Sequence, residues 1–539
     1  MGIFLNNTAP FEAYKIAVSD RYFVDKSMLL EDLIPSIDRE QRFLCITRPR
    51  RFGKTVMANM IAAYFGTAVD SSAIFNQLAI AKSSVYREHL NKYDVIYIDF
   101  SRLPEKCCTY EEYINRIKEG IKTDLLEKFS ELHLKEGMAL WDIFAMIFQK
   151  TNRKFIFVMD EWDAIFHMPF VSQKDRQEYL VFLKNLLKDQ VYVRLAYMTG
   201  ILPIAKYSAA SELNMFVEYN MATRERFSSY FGFSEKEVDK LFQIYSKTTV
   251  RPRITREDLK IWYDGYCTAA GEQLYNPRSI ICALSDNQLG SYWTGSGPYD
   301  EIFYYIKGNI DEIREDFILM ISGERIEAKV QEYAATAEEL TTKNQIYSAM
   351  VIYGLLTYED GEVFIPNREL MYKYNELLLT NESLGYVYRL AKQSERMLKA
   401  TLAQNTQIMA EILEYAHNTE SPILSYNNEI ELSAIVNLVY LAARDKYRVE
   451  REDKAGKGYV DFIFYPEKKN IPGIILELKV DASPEAAIQQ IKDKQYVLRF
   501  KGKLGEKAKY TGEVLLLLVG INYNKETKKH TCKIERIKW

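Results

Sequence analysis

FLCITRPRRFGKT, residues 43–55, is the stretch around which this 539-residue chain is organised. Phe43, Leu44, Cys45 and Ile46 form an apolar run of strand type. A short polar loop follows, then Gly53-Lys54-Thr55. From Val56 to Phe65 the spacing of Met57, Ile61 and Phe65 puts apolar side chains on one face of a helix. Strand, loop, Gly-Lys-Thr and helix is the layout of a phosphate-binding P-loop. There, backbone N–H groups cradle phosphates, the lysine neutralises them and the threonine hydroxyl holds Mg²⁺. The usual pattern, G-x-x-x-x-G-K-[ST], has glycine where this chain has Arg48. The loop must therefore open differently around the phosphates, and Pro49 drives Arg48 toward an extended backbone. Of the cationic trio Arg48, Arg50 and Arg51, at least one is expected to touch phosphate, with Arg50 and Arg51 assigned to the nucleotide.

Two carboxylates downstream complete this reading. Lys154–Asp160 (KFIFVMD) is a buried-type strand ending in Asp160-Glu161, the layout of a Walker B segment. A carboxylate at the tip of a buried strand orients Mg²⁺, and a second beside it polarises the attacking water. Asp160 is assigned to the metal and Glu161 to water activation. Tyr93–Phe100 (YDVIYIDF) is a further strand, linked to Lys154–Asp160 by a long helical stretch from about Tyr110 to Phe148. Val191–Met198 leads to Thr199-Gly200, where Thr199 is either a γ-phosphate sensor or part of a strand-ending turn. Alternating strands and helices imply a parallel sheet covered on both faces, with ligands at the C-terminal strand ends. Residues 8–40, including Tyr22–Ser27 (YFVDKS), read either as an ordinary N-terminal helical segment or as a cover over the nucleotide base.

Length alone calls for roughly two to four domains. Apolar content of 47% is ample for packed cores, and a net charge of −3 requires any nucleic-acid contact to come from a local patch. The six cysteines lack C-x-x-C spacing and the five histidines offer no ligand pair, which argues against zinc or a disulfide framework and suits a reducing compartment. The N-terminus lacks signal-peptide character and no apolar run is long enough for a membrane helix, so a soluble cytoplasmic protein is expected.

From about Asn220 the pattern turns helical. Ser234 with Glu237, Thr255, and Asn276 followed by Pro277 read as helix starts. After helices over 300–350, Glu359-Asp360-Gly361-Glu362 between apolar runs signals a hairpin. Helices followed by a hairpin suggest a winged-helix-like module, and its acidic tip favours packing over nucleic-acid contact. Arg224 and Arg226 are candidates for an arginine finger. A helical region from about Ser383 to Ala416 bridges to a last domain with a helix at Asn427–Arg444. Strands are expected at Tyr447–Glu452, Tyr459–Tyr465, Ile474–Val480 and Val514–Val519, with a turn at 453–458 and a helix at Ala486–Phe500.

Within that last domain, Glu477 and Lys479 are two apart on a strand and share a face. Placing charges among Ile475, Leu476 and Leu478 has a cost that needs a reason. Asp461 and Glu477, from adjacent strands, can hold one Mg²⁺, a hard cation that prefers oxygen. Lys479 can then orient or deprotonate a water attacking a phosphodiester. The alternative is a cross-strand ion pair beside a solvated Asp461; the hairpin context and the helix carrying Gln490 favour the site. Residues 492–539 hold thirteen Lys/Arg against five Asp/Glu. That flank reads either as a nucleic-acid contact or as a solvated surface.

These strings resemble a known family. YFVDKS (22–27), RPRRFGKT (48–55), MDEWD (159–163), YMTGI (197–201), WYDGYC (262–267) and LYNPRSI (274–280) match bacterial AAA-ATPase-like proteins. GKGYVD (456–461), IILELKV (474–480) and QIKDKQY (490–496) resemble the PD-(D/E)XK nuclease domain that commonly follows that ATPase. The resemblance makes Arg48 a family feature. It implies ATP on Gly53, Lys54 and Thr55, Mg²⁺ on Thr55 and Asp160, and a nuclease site of Asp461, Glu477, Lys479 and Gln490. Mg²⁺, with Mn²⁺ as an alternative, would sit on Asp461 and Glu477, and Glu431 is an additional helix carboxylate. Tyr459 departs from the family, which often has Arg two residues before the Asp.

The expected fold is α/β: a P-loop ATPase domain at 1–220, a helical lid and winged-helix-like region at 221–380, and a PD-(D/E)XK mixed α/β domain at 381–539. The expected function is an ATPase whose nucleotide state controls a metal-dependent nuclease, with DNA preferred over RNA and a homo-oligomer among the options. The alternatives are a nucleotide-gated nucleic-acid binder with an inactive nuclease fold, and a regulatory ATPase whose last domain only binds protein.

Overall fold

The computed structural model describes residues 2–134, 137–204, 212–222, 224, 226–293, 311–330, 342–380, 382, 386–418, 429–455, 458–467, 471–498 and 515–538. The chain forms two compact units, Met1–Gly297 with Glu327–Glu369, and Pro298–Ile326 with Leu370–Trp539. The region 221–380, expected as a module of its own, is divided between them.

The first unit is built on a parallel sheet of β1 (Phe43–Thr47), β2 (Asp94–Asp99), β3 (Phe155–Asp160), β4 (Val193–Gly200) and β5 (Val217–Tyr219) in the order β2-β3-β4-β1-β5. Every residue of β1 and β3 is buried, as continuous apolar strands in a covered parallel sheet must be. Register pairs Thr47 with Gly200, and Asp99 with Asp160, so the polar strand tips share one edge. The helix Lys54–Phe65 packs Met57, Ile61 and Phe65 against this sheet. Residues 4–6 run antiparallel along β2, with Tyr97 N–H donating to Phe4 O and Asn6 N–H to Val95 O, and so cover an open sheet edge.

One reading needs correction here and one element is new. The long helix from Tyr110 to Phe148 is two helices, Tyr110–Lys128 and Leu140–Thr151, broken between them by a 3₁₀ turn at Ser130–Leu132. β5 was not foreseen: three residues are too few for a periodicity signal.

Tyr22–Ser27 acts as a clamp. Asp25 accepts from Ala79 N–H at 2.6 Å and Ser27 Oγ from Ile80 N–H at 3.1 Å. Lys26 reaches Ser229 O at 2.6 Å and Glu237 Oε1 at 2.6 Å. Glu237 also accepts from Ser234 N–H, which starts the helix Glu235–Thr248 where expected. With the helices Arg256–Tyr263 and Pro277–Asp286, it encloses a second core of Tyr22, Val238, Leu241, Leu259 and Ile280. Short strands β6 (Tyr266–Cys267), β7 (Gln273–Leu274) and β8 (Ile326–Glu327) follow, then the helix Lys343–Ile352. The expected hairpin is present as β9 (Thr357–Glu359) and β10 (Glu362–Phe364), with Asp360 and Gly361 both at positive φ.

The second unit carries a mixed sheet, β11 (Tyr447–Ala455), β12 (Gly458–Pro466), β13 (Gly473–Val480), β14 (Leu515–Asn524) and β15 (Lys529–Lys538), in that spatial order. β13 and β14 are parallel, and the chain between them contains the helix Pro484–Asp493, opened by Ser483 and Pro484 as expected. Gly520 lets that helix close on the sheet: a Cβ there would lie 2.2 Å from Pro484 O. The expected turn at 453–458 is narrower, because β11 and β12 run on to Ala455 and Gly458. Residues 529–538, part of the basic flank, form edge strand β15, which was not foreseen, and lysine is a common guard of such edges. The helix ends at Asp493, short of the expected Phe500. Ser383, Asn427, Phe500 and the basic run within 499–514 lie outside the described residues, as do 300–310 and 331–341 of the expected helical stretch. Among the described residues no helix is long and apolar enough to cross a membrane.

Candidate functional sites

At the P-loop the sequence leaves the sheet at Thr47 and re-enters regular structure at Lys54. Gly53 caps the helix at φ +90°, a left-handed conformation that glycine adopts without strain. Arg48 settles the question its sequence position raised. Its side chain is 1% exposed and turned into the protein. Its guanidinium donates to Thr47 O at 2.8 Å, Tyr219 O at 2.7 Å and Ser228 Oγ at 3.1 Å, and lies over the Phe231 ring. Arg48 thus fastens β1 to β5 and to the segment that Lys26 clamps, and it is not the phosphate-facing arginine.

Lys54 is buried and donates to Arg48 O at 2.9 Å and Pro49 O at 3.0 Å. Desolvation lowers its pKa, while Asp163, Asp160 and Glu161 oppose that shift. Asp160, 1% exposed, accepts from the hydroxyls of Thr199 and Thr55. Burial raises its pKa, and these hydrogen bonds and Lys54 counter it. Glu161 is raised by burial and by Asp160. Its backbone sits at φ +50°, a strained conformation for a non-glycine residue of the kind often held at functional sites. Thr199, read as sensor or turn, lies inside β4 and orients Asp160 through its hydroxyl.

These groups border a cleft of about 660 Å³ whose lining includes Arg50, Arg51, Gly53, Lys54, Thr55 and Glu161. Arg51 also donates to Tyr292 O at 2.7 Å. Two lining residues escaped the sequence reading. Asp163 is buried and accepts from Ile201 and Leu202 N–H at 2.9 and 2.7 Å, fixing the turn after β4. Arg278 opens the helix Pro277–Asp286 and brings a further cation to the cleft. The signal for Arg278 was Asn276-Pro277, which marks a helix N-terminus, the end of a helix that favours anions. Among the finger candidates, Arg226 stacks on Phe227 and donates to Tyr219 OH at 3.2 Å and Asp32 O at 3.2 Å.

In the second unit, the Phe462–Leu476 pairing continued by one residue sets Asp461 opposite Glu477. Asp461 Oδ2 accepts from Leu478 N–H at 2.7 Å. Glu477 is 2% exposed. Its Oε1 accepts from Lys479 Nζ at 3.2 Å and from Gln490 Nε2, while Oε2 is buried and makes no hydrogen bond of normal geometry. Desolvation first, then Asp461, push Glu477 up to about 8, against the opposing pull of Lys479. Gln490 also donates to Tyr496 OH at 3.3 Å, and that hydroxyl is itself raised by burial. The structure therefore brings Asp461, Glu477, Lys479 and Gln490 together.

Glu431 is half-buried on the helix Glu429–Val439, and the side chain of Tyr459 lies outside the described residues. Part of the basic flank is already paired: Lys492 with Glu535 at 2.5 Å, Lys533 with Glu485 at 3.5 Å and Lys525 with Asp481 at 3.7 Å.

Metal fit follows from the donor chemistry. Among the described residues no three His, Cys, Asp or Glu side chains converge as a cation cage. One or two carboxylates, with water or phosphate supplying the rest, suit Mg²⁺ and not zinc. Glu477 Oε2, buried beside a second carboxylate, is the orphaned oxygen that such a cation would satisfy.

Comparison with known proteins agrees on the parts. Residues 11–210 match the AAA-ATPase-like family, described as predicted AAA-ATPase, and residues 431–528 match the PD-(D/E)XK nuclease superfamily. No curated protein matches. Among solved structures, the Walker-type ATPase paby2304 of Pyrococcus abyssi aligns at 13% identity and TM-score 0.35, covering 65% of this chain and 94% of that one. The ORC2 protein of Aeropyrum pernix, solved in ADPNP-ADP complexes, aligns at 11% and 0.31, covering 70% and 96%. The chain thus carries, in this order, a segment that matches the predicted AAA-ATPase family and a segment that matches the PD-(D/E)XK nuclease superfamily.

Proposed function

We propose that this chain binds and hydrolyses ATP in the first unit, and that its nucleotide state controls a metal-dependent nuclease in the second. DNA is the proposed polymer and the cytoplasm the proposed location. At the ATP cleft, Thr55 and Asp160 would hold Mg²⁺ and Lys54 would exchange the carbonyls of Arg48 and Pro49 for phosphate oxygens. Arg50, Arg51 and Arg278 would add charge neutralisation. Glu161, kept basic by Asp160 and by burial, would accept the proton of the attacking water.

The observation that carries the nuclease reading is the buried, unsatisfied Oε2 of Glu477 beside Asp461. A divalent cation on Asp461 and Glu477 would supply charge neutralisation at the scissile phosphate. Lys479, released from Glu477 Oε1 as the cation takes that carboxylate, would orient the attacking water. Gln490 would hold the Glu477 carboxylate in place, with Tyr496 behind it.

The test is cleavage of DNA and RNA with Mg²⁺ or Mn²⁺, with and without ATP, by the full chain and by Lys479→Ala. Loss of cleavage in the variant with ATP binding retained supports the assignment, whereas unchanged cleavage rejects it. Salt-sensitive DNA binding that survives Asp461→Asn, with no product under any metal, would mark a nucleotide-gated binder instead.

A further inference from the structure

We infer that Asp163 is a positioning residue of the ATP centre, locking the turn that carries Glu161 to the turn that follows β4. For its effect on turnover, this rests on the reading that the cleft hydrolyses ATP. The lock itself lies wholly within the first unit.

The parallel neighbours β3 and β4 end at the same edge of the sheet, and hydrogen bonds cross between their turns in both directions. From the β3 side, Glu161 N–H donates to Thr199 Oγ1 at 3.4 Å and Trp162 N–H donates to Thr199 O at 2.9 Å. From the β4 side, Ile201 and Leu202 N–H both donate to Asp163 Oδ2, at 2.9 and 2.7 Å. Glu161 lies inside this stitch at φ +50°, a conformation that persists only where the surroundings over-determine it. The bond from Trp162 to Thr199 joins main chain to main chain and is open to any sequence. The return bonds depend on one carboxylate, whose charge strengthens both. Asp163 is 3% exposed, so two amides that lost it would find no ready replacement in solvent.

Gly200 shows how closely the two turns are set. Its C=O accepts from Arg48 N–H at 3.1 Å, at the start of the phosphate loop. A Cβ on Gly200 would lie 2.6 Å from both Asp163 Oδ1 and Trp162 Nε1. Trp162 is fully buried and its carbonyl accepts from Tyr179 OH at 2.8 Å, so it has no room to give way. The tips of β1, β3 and β4 thus meet around Gly200, and Asp163 is the side chain that ties the last two. Asp163, Gly200 and Ile201 line the cleft with Glu161, Lys54 and Thr55. Parting the two turns therefore moves Glu161 relative to the phosphate loop, and a misplacement of about 1 Å is enough to cost roughly a hundredfold in rate.

The experiment compares the full chain with Asp163→Ala, Asp163→Asn and Gly200→Ala, each checked for folding by circular dichroism. Phosphate release against ATP concentration gives kcat and KM, and amide hydrogen exchange of the nucleotide-free protein reports on residues 199–204. Asp163→Ala and Gly200→Ala should lower kcat about a hundredfold with KM nearly unchanged, as a misplaced base does and a lost binding contact does not. Asp163→Asn keeps an oxygen that can accept both N–H groups, and its kcat should exceed that of Asp163→Ala by at least about tenfold. Exchange at Ile201 and Leu202 should be roughly 2- to 10-fold faster in Asp163→Ala, the loss of one hydrogen bond at each amide. If Asp163→Ala does not fold, Gly200→Ala and Asp163→Asn decide: a low kcat in the first and a largely retained kcat in the second support the lock, and any other pair overturns it. A folded Asp163→Ala with wild-type kcat, or one matched by Asp163→Asn, overturns the positioning role. A wild type that releases no phosphate rejects the ATPase reading by itself. Exchange then decides the lock, which unchanged rates at Ile201 and Leu202 in Asp163→Ala would overturn.

Discussion

Replacing Arg48 with glycine restores the usual P-loop pattern, and the structure says that this repair should damage the protein. The guanidinium makes three hydrogen bonds at 2.7–3.1 Å and contacts an aromatic face, all in a buried setting. In Arg48→Gly the acceptors that lose a donor include Tyr219 O and Ser228 Oγ. Each buried acceptor left unsatisfied costs about 1–3 kcal/mol. Loss of the ring contact adds roughly 0.5–2 kcal/mol. Relief from burying a charge offsets part of this, because desolvating a guanidinium is itself unfavourable. The expected net loss is about 2–5 kcal/mol, a large share of the roughly 5–15 kcal/mol that stabilises a typical domain. The assay is urea denaturation followed by tryptophan fluorescence, with ATP affinity measured on the still-folded fraction. Because the side-chain link from the phosphate loop to β5 and to Ser228, beside the clamp at Ser229, is lost, nucleotide affinity should fall as well. A variant as stable as the wild type, or one that binds ATP more tightly, would refute the structural role assigned to Arg48.

Other outcomes follow from the same geometry. Lys54→Ala should weaken ATP binding roughly 10- to 100-fold, the loss of one charge-assisted contact, measured with a fluorescent analogue. Glu161→Gln should keep ATP affinity but slow hydrolysis about a hundredfold or more, as loss of a general base does, read by phosphate release. Glu477 is pushed up to about 8 from an ordinary 4.5, so the folded unit keeps a proton that the unfolded chain has released between those values. Its contribution to stability is full below about pH 4.5 and declines as pH rises toward 8, by at most about 1.4 kcal/mol per pH unit. Metal-free denaturation midpoints across that window should fall in the wild type and flatten in Glu477→Gln; parallel curves would reject the burial argument.

How much was legible in the sequence depended on whether a signal was local. β1, β3 and the Gly53-Lys54-Thr55 turn declare themselves within a dozen residues, and Asp461 and Glu477 each stand out within a single strand of a neighbouring pair. The Asp360-Gly361 hairpin and the Asn276-Pro277 helix start were equally clear, because each depends on the backbone preference of one or two residues. What was hidden was non-local. The acceptors of Arg48 lie about 170–180 positions away, at Tyr219 and Ser228, so its direction could not be inferred from its neighbours. β15 was not foreseen, because in one dimension lysines on a solvated edge strand read equally as a nucleic-acid contact or a plain solvated surface. The alternation that would betray the strand is masked by Cys532, Ile534 and Ile537 between charges. The hydrogen bond from Trp293 N–H to Glu369 Oε1, 76 positions apart, was invisible for the same reason.

The two acidic centres are prepared in opposite ways, and that difference bears on control. Asp160 is satisfied before any cation arrives, since Thr199 and Thr55 both donate to it and Lys54 lies within electrostatic range. Such a site is preorganised, and a cation arriving with nucleotide has little to rearrange. Glu477 is the reverse: one oxygen is shared by Lys479 and Gln490, the other is buried without a proper donor, and a like charge stands opposite. A cation there would relieve strain that the fold already carries, but only after Glu477 loses its proton and gives up its hold on Lys479. A small shift of β11 or β12 against β13 would change the Asp461–Glu477 separation and thus the ease of that exchange. On the proposed reading, the centre at Asp160 is therefore suited to constant readiness, and the centre at Asp461 and Glu477 to being switched.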